Sequence, residues 1–199
     1  FVEDRLNDHG FEDTVVRYNF VPEDFGDGVE PAGEGDVLFV GKLVEQKGPQ
    51  LVVEAIPEVL EERPDQHFTF LGDGPLRDEL EERVRTFGVE DSVEFRGHVP
   101  KEEVIARMKG ASVVVSPSLW HEPLSRVVIE AQAVGTPVVT TDRGGNGEAV
   151  TAEQVFDPAT GDMADALKNV LEKDIDMQRP PRTDEVIEEW VKTYERIVE

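Results

Sequence analysis

Short apolar runs alternate along the chain with longer segments whose apolar positions recur every three or four residues. From residue 36 onwards, β-branched and aromatic runs predict strands at 37–40, 67–71, 93–96, 113–116, 137–141 and 154–156. Segments of helical period predict helices near 49–62, 75–87, 101–109, 124–134 and 162–173. Pro49 suits a first helical turn, and Gly88 and Gly135 stand where helices are expected to end. This alternation predicts an α/β fold with a doubly wound, Rossmann-like parallel sheet.

The two ends of the chain differ from this alternating part. Glycines and prolines crowd residues 22–35 and predict a linker, and residues 15–18 are a candidate for one more strand. Residues 184–198 predict an amphipathic helix. Its apolar side consists of Ile187, Trp190, Val191, Tyr194 and Val198. We expect three parts, namely the remnant of a preceding domain with a linker at 1–35, a Rossmann-like domain at 36–178, and a C-terminal helix at 179–199.

Composition narrows the range of functions. The 20 Lys and Arg stand against 44 Asp and Glu, so the formal net charge is −24. Such a charge argues against a nucleic-acid partner, because neutralising phosphates takes a basic face. The absence of cysteine excludes disulfides, thiol nucleophiles and cysteine-based metal sites. No apolar run approaches the ~20 residues that cross a bilayer, so we expect no transmembrane segment and a cytoplasmic protein.

The acidic residues are spread along the whole chain rather than gathered in a tail. Most acidic runs are ordinary solvated faces. The excess predicts a halophilic protein, because high salt screens the mutual repulsion of like charges. The chain begins at Phe1 rather than at a methionine, and we expect it to be part of a longer polypeptide.

Several common motifs are missing. Gly72-Asp73-Gly74 lacks the third glycine of a dinucleotide-binding turn, which argues against a nicotinamide dehydrogenase. Gly41-Lys42 is followed by Leu43 rather than by Ser or Thr, so it is not a P-loop. The four histidines have no metal-ligand spacing. Asp174-Ile175-Asp176 matches the Asp-x-Asp pattern of metal-dependent sugar transfer, a match that so acidic a chain produces by chance.

The first candidate site is the loop of residues 41–48, after a predicted strand. Open parallel sheets bind ligands at the carboxyl ends of their strands. The loop contains Lys42 and Lys47, two of only seven lysines in the chain. Lysines in such a turn can neutralise a phosphate that the N-terminus of the next helix also attracts. An ordinary solvated turn is the alternative interpretation.

Two further loops follow later strands. In the second, Glu122 precedes a helix, and Glu130 lies eight residues on among apolar neighbours. A buried carboxylate needs a partner, which the hydroxyls of a sugar or ribose would supply, whereas a surface glutamate is the alternative. Trp120 and His121 either stack on a ring or pack at the rim. The glycines of the third loop, 142–148, allow a close approach to a ligand or make the loop flexible.

Taken in order, these motifs resemble a known family. Its landmarks here are Gly41-Lys42-Leu43 with Lys47-Gly48, Leu71–Leu76, Gly97-His98-Val99, Ser116-Pro117-Ser118, Glu122-x7-Glu130, Gly135-x-Pro137 and Gly144-Gly145 with Glu148. Over residues 15–199 the chain resembles the C-terminal, donor-binding domain of the retaining GT-B glycosyltransferases of family four, the group 1 glycosyltransferases. The segment 18–22 resembles the part of that family that joins its two domains.

The resemblance implies a nucleotide-sugar site. The donor-binding residues would be Gly41, Lys42, Lys47, Val99, Ser125, Arg126, Val127 and Glu130, and the catalytic residue would be Glu122. In this assignment the two lysines bind the diphosphate, Glu130 binds the ribose, and Val99 helps to seat the base. Backbone N–H groups at 125–127 would bind the phosphates, and Glu122 would contact the sugar near the reacting carbon.

Two positions depart from the family pattern. Lys42 stands where arginine is usual, which replaces a bidentate fork by a point charge. Ser125 and Arg126 replace a commoner glycine and an apolar residue, and this changes the local contacts expected with the sugar.

The implied reaction is hexosyl transfer with retention, without a metal or another cofactor. The implied partner is an N-terminal acceptor domain of the same polypeptide, against which the C-terminal helix would pack. That domain would also be the route to any peripheral membrane contact, and this chain alone would be inactive. A non-catalytic nucleotide-sugar-binding module and a nucleotide-sugar epimerase or hydrolase on the same fold are the alternatives.

Overall fold

Six short parallel strands form the sheet. The computed structural model describes residues 1–11, 14–15, 19–173, 175, 177, 180 and 183–198. The strands are β1 (Val37–Val40), β2 (Phe68–Leu71), β3 (Val93–Gly97), β4 (Val113–Ser116), β5 (Val138–Thr141) and β6 (Val155–Phe156). Their order is β3-β2-β1-β4-β5-β6, and each neighbouring pair is parallel. The predicted doubly wound, Rossmann-like sheet is therefore confirmed.

Helices follow the strands as the sequence predicts. They are α1 (Val2–Asp8), α2 (Pro49–Glu62), α3 (Arg77–Phe87), α4 (Lys101–Gly110), α5 (Arg126–Ala133), α6 (Met163–Glu172) and α7 (Thr183–Val198). Pro49 begins α2, and α3 ends at Gly88, which adopts a left-handed conformation with φ 67°. The helices predicted from residue 49 onwards are confirmed, whereas no sequence pattern predicts α1.

Both faces of the sheet are buried. Along β1, Val37 and Phe39 join the core beneath α2, α3 and α6, whereas Leu38 joins the core beneath α4 and α5. This split follows from the two-residue period of a strand. Burial on both faces also explains why the strands read as nearly continuous apolar runs. Phe70 on β2 stacks on Phe95 with 4.6 Å between ring centroids.

An ion cluster joins α6 to α2. Lys168 contacts Glu58 at 2.8 Å, Asp165 at 2.9 Å and Glu62 at 3.2 Å. The hydrogen bond to Glu58, followed by those to Asp165 and Glu62, raises the pKa of Lys168 above its ordinary value. One cation is thus the shared counter-charge of three carboxylates, in a chain that has more than two acidic residues for each basic one.

The segment that the sequence predicts as a linker lies against α4 without helix or strand. Lys109 Nζ donates to the carbonyl oxygens of Gly26 at 2.6 Å and Val29 at 2.9 Å. The backbone N–H of Ala32 donates to Ala106 O at 2.8 Å. We call residues 22–35 the strap, since these contacts hold it along α4. The domain boundaries after residues 35 and 178 stay predictions.

The two ends of the chain carry α1 and α7. Of the strand predicted at 15–18, Val15 lies outside any strand, and residues 16–18 are outside the described residues. In α7, Val186 is buried, whereas Ile187, Trp190, Val191 and Tyr194 are exposed. The side chain of Val198 is outside the described part. Among the described residues, no helix is both long and apolar enough to span a bilayer.

Candidate functional site

The loops after β1 and β4 meet where the strand order reverses direction. The backbone N–H of Leu119 donates to Gln46 O at 2.9 Å, and Ser118 Oγ donates to the same oxygen at 3.2 Å. Gly48 adopts φ 71°, and a Cβ on it would overlap the carbonyl oxygen of Pro117. These contacts bring two of the three predicted site loops together at the position where open parallel sheets bind ligands.

Lys47 and Glu122 form an ion pair across these two loops. Lys47 Nζ donates to Glu122 Oε1, and Ser118 Oγ lies 3.4 Å from the same oxygen. The Glu122 side chain is only 13% exposed, so the lysine supplies the counter-charge that a partly buried carboxylate requires. The residues are 75 positions apart in sequence. The structure therefore joins the predicted catalytic residue to one of the predicted diphosphate ligands.

The start of α5 lies next to this pair in the chain. Ser125 precedes the helix in an extended conformation, and in the described part of the chain no side chain caps the first turn. The backbone N–H of Ser125 itself donates to Asn146 Oδ1 at 2.7 Å. The N–H groups at the start of α5, including those of Arg126 and Val127, are therefore available for an anion, which the helix dipole favours.

Glu130 has an internal partner. Its side chain is 15% exposed and accepts a hydrogen bond at 3.1 Å from Arg126 Nη2, one turn earlier on α5. The expectation that Glu130 is largely buried holds, whereas its counter-charge comes from the same helix. The Arg126 side chain is 69% exposed, so its movement away from Glu130 would not disturb the core.

A cavity of about 350 Å³ opens on the β2 side of the first loop. It is lined by Val40, Gly41, Lys42, Leu71, Gly72, Asp73, His98, Val99 and Val104. Three predicted donor-binding residues, Gly41, Lys42 and Val99, thus share one concave space. Lys42 and Lys47 lie at opposite ends of the loop, one on each side of β1.

The third loop contacts the second. The backbone N–H of Gly145 donates to Glu122 O at 2.8 Å, and a Cβ on Gly144 would overlap that oxygen. The close approach that the glycines permit is therefore an approach to the segment that carries Glu122. Asn146 is fully buried in this loop and was not predicted as a site residue. In the sequence, only its position directly after two glycines could have indicated that Asn146 belongs to the site.

Aromatic side chains lie at the rim of the site. Trp120 is 63% exposed, and His121 stacks on Phe1 with 5.8 Å between centroids and 7° between ring planes. The Phe1 ammonium group lies 2.6 Å from Glu148 Oε1, and this hydrogen bond raises the pKa of the amine. His121 thus packs against Phe1 at the rim, whereas Trp120 is largely exposed, and stacking of either residue on a ligand ring stays a prediction.

No cluster of three or more His, Asp or Glu suited to a metal ion occurs among the described residues. The carboxylates of the Asp-x-Asp match, Asp174 and Asp176, are outside that part of the chain.

Known proteins are similar to this chain over most of its length. Residues 20–185 match the family model of the group 1 glycosyl transferases. Glycogen synthase of Mycobacterium tuberculosis is 33% identical over 154 residues, which are 75% of this chain and 37% of that protein. The chain spans about a third of the length of the curated relatives it matches.

Solved structures share the fold. The C-terminal domain of a group 1 glycosyl transferase from Francisella tularensis has a TM-score of 0.65 at 22% identity, covering 77% of this chain and 88% of that one. Anabaena HepE, solved with UDP-glucose, has a TM-score of 0.68 at 21% identity, covering 80% of this chain and 48% of that one. The chain therefore belongs to the group 1 glycosyl transferases, and its fold is that of the C-terminal domain of a GT-B member of this family.

Proposed function

We propose that this chain binds the nucleotide-sugar donor of a glycosyl transfer that retains the configuration of the anomeric carbon. The observation that carries the proposal is the junction of the Lys47–Glu122 pair with the start of α5, at the point where the strand order reverses. Membership in the group 1 glycosyl transferases supports the transfer chemistry. The UDP-glucose in HepE supports a nucleotide sugar as donor.

The diphosphate is proposed to lie between Lys47 and the first turn of α5. Lys47 is 42% exposed and can turn from Glu122 towards a phosphate, while the N–H groups of Arg126 and Val127 approach from the other side. Lys42 supplies a second positive charge from the cavity side of the loop. Both lysines act as point charges, so their position matters more than the orientation of their donors.

The nucleoside is proposed to occupy the cavity of Gly41 and Val99 and to reach Glu130 with its ribose. The cavity has apolar walls on which a base can pack, with a volume in the range of small-molecule subsites. The ribose hydroxyls would donate to the Glu130 carboxylate in place of Arg126. That exchange keeps the carboxylate paired in both states, so neither state contains an uncompensated buried charge.

Glu122 is proposed to contact the donor sugar near the reacting carbon. As the bond to the nucleotide breaks, negative charge develops on the leaving diphosphate, where Lys47 and the α5 dipole stabilise it. Because side chains and backbone N–H groups supply this positive charge, we propose that transfer needs no divalent cation and no other cofactor. The transferred group is proposed to be a hexose.

The acceptor is proposed to bind to another part of the same polypeptide, since this chain spans only about a third of its curated relatives. We propose that an N-terminal domain forms the other wall of the cleft and covers the exposed face of α7. With one wall, water is not excluded and no acceptor is positioned, so this chain should bind donor without turning it over. A cytoplasmic location, with any membrane contact made through that domain, stays a prediction.

A nucleotide panel tests the proposed function. We would measure the melting temperature and the calorimetric affinity with UDP-, GDP- and ADP-glucose in molar KCl, with and without EDTA. At 100 times the Kd, a ligand stabilises the folded state by about 2.7 kcal/mol, which raises the Tm by roughly 5–10 °C for a chain of this size. We expect one nucleotide to do so irrespective of EDTA. Absence of binding by all three would refute the proposal.

A further inference from the structure

The third loop is fastened to the segment that leads from Glu122 into α5. Three successive residues make the contact. Gly144 and Gly145 lie so close to the backbone of Glu122 and Pro123 that a Cβ on either would overlap a carbonyl oxygen. Asn146 then accepts the Ser125 N–H at 2.7 Å, and Gly145 donates to Glu122 O at 2.8 Å. The segment 122–125 is thus held at both of its ends.

Only one half of the Asn146 amide is used. Oδ1 accepts from Ser125, whereas Nδ2 is buried and has no hydrogen-bond partner among the described residues. An unsatisfied buried donor lowers stability, so Asn146 is a poor choice for stability alone. Its acceptor satisfies the N–H just before α5 and leaves the first turn of the helix open to an anion.

We infer that Asn146, with Gly144 and Gly145, positions the donor site by fixing the backbone from Glu122 to Ser125. The inference rests on the proposed function, because Glu122 and the start of α5 are the groups being positioned. Donor contacts at these groups depend on geometry within fractions of an ångström, so a loosened segment should weaken them. The remainder of α5 is anchored separately by buried Val128 and Ala131, and Glu130 should therefore stay in place.

Two pairs of variants test the inference in the 199-residue chain. Asn146→Ala removes the acceptor, and Gln154→Ala is its control, because the Gln154 amide is equally buried but bonds to Val138 O. Gly145→Ala forces the segment to move, whereas Gly147→Ala places a Cβ in ordinary contact, 3.7 Å from Val155. Gly145 has φ −93°, which alanine adopts freely, so that variant tests the close contact alone.

We would measure amide hydrogen exchange, and by calorimetry the affinities for UDP and for uridine. If the parent chain prefers guanine or adenine, GDP with guanosine or ADP with adenosine takes their place. We expect Asn146→Ala and Gly145→Ala to speed exchange at 122–128 and to weaken diphosphate binding about tenfold, with nucleoside binding unchanged. The two control variants should leave exchange at 122–128 and both affinities at parental values.

The outcomes separate the inference from the function on which it rests. A parent that binds none of the nucleotides overturns the proposed function, and the inference with it. The inference alone is overturned if the parent binds a nucleotide and the variants Asn146→Ala and Gly145→Ala match it in diphosphate affinity. It is likewise overturned if they match the parent in amide exchange at 122–128. Equal losses for diphosphate and nucleoside would also overturn it, because they indicate a general loosening of the fold.

Discussion

Glu130 shows that a largely buried carboxylate can have its counter-charge within its own helix. Its apolar neighbours predict burial, and its carboxylate is indeed mostly buried, yet Arg126 already pairs with it. The four-residue spacing of Arg126 and Glu130 is the feature of the sequence that indicates this ion pair, since residues four apart meet on one face of a helix. The arginine of this pair is 69% exposed, so we expect a ligand to be able to replace it beside the carboxylate.

Glu130→Gln should reduce the affinity for a nucleoside and for its diphosphate alike. The amide keeps the shape of the side chain but loses its charge, and hydrogen bonds to a charged group contribute ~1.5–3 kcal/mol. We therefore expect roughly a tenfold or larger rise in Kd, measured by calorimetry in molar salt. Arg126→Ala is the control, since it removes the ion pair but keeps the backbone N–H. Unchanged affinity in Glu130→Gln would contradict the ribose assignment.

Lys47→Ala should act on the diphosphate alone. The lysine is paired with Glu122, and without it both the phosphates and that carboxylate lose a positive charge. We expect roughly a tenfold loss of affinity for the nucleoside diphosphate and no change for the free nucleoside. Lys192→Ala, which removes a lysine 74% exposed on α7, should leave both affinities unchanged. If Lys192→Ala lost as much diphosphate affinity as Lys47→Ala, the effect would reflect only the change in overall charge and would contradict the assignment of Lys47.

At the scale of elements, the strap shows how a segment rich in glycine and proline becomes ordered. Its composition indicates a linker, because it has too few apolar residues to form a core of its own. The carbonyl groups of Gly26 and Val29 are instead satisfied by Lys109 from α4. This contact joins positions about 80 residues apart, beyond the reach of any local pattern.

Lys109→Met should release the strap while the sheet stays intact. Methionine keeps the apolar stem but removes the ammonium donor, which leaves two carbonyl groups without their partner. We expect amide exchange within residues 23–32 to rise roughly tenfold, as local opening becomes easier by about 1.4 kcal/mol. Lys173→Met, at an exposed position, is the control. Identical exchange in the two variants would show that Lys109 does not hold the strap.

At the scale of the whole molecule, the net charge of −24 opposes the compact state through repulsion among like charges. Cations such as Lys168 and Arg83 each face more than one carboxylate, so many acids share their counter-charge. The Debye length is ~30 Å in 0.01 M salt, comparable to the size of the domain, and ~3 Å at 1 M. Repulsion among the acids therefore acts across the molecule in dilute buffer and is screened in molar salt.

The melting temperature should consequently rise steeply from dilute buffer to molar KCl. We would follow it by circular dichroism, with sucrose at matched osmolality as the control for effects other than screening. Sucrose should leave most of the low-salt destabilisation in place. A melting temperature that does not change with KCl would refute the prediction of a halophilic protein while leaving the fold and the site unaffected.

Much of the fold and the candidate site could be predicted because their causes are local. β-Branched runs such as 113–115 form strands, glycine ends α3, and the carboxyl ends of parallel strands gather on one edge of the sheet. The ion pair of Lys47 with Glu122 could not be predicted, since it depends on the distance between loops that follow two different strands. α1 could not be predicted either, because it has no buried residue and therefore no apolar pattern in the sequence that indicates a helix.

The sequence by itself determined the class of the fold, the order of its elements and the edge of the sheet where ligands would bind, because hydrophobic period and chain direction are local properties. It also singled out Glu122 and Glu130. Only the tertiary structure decided which charges pair, which glycines contact another backbone, and that Asn146 accepts the N–H just before α5. These depend on ångström-scale distances between segments remote in sequence, and only the packed sheet sets those distances.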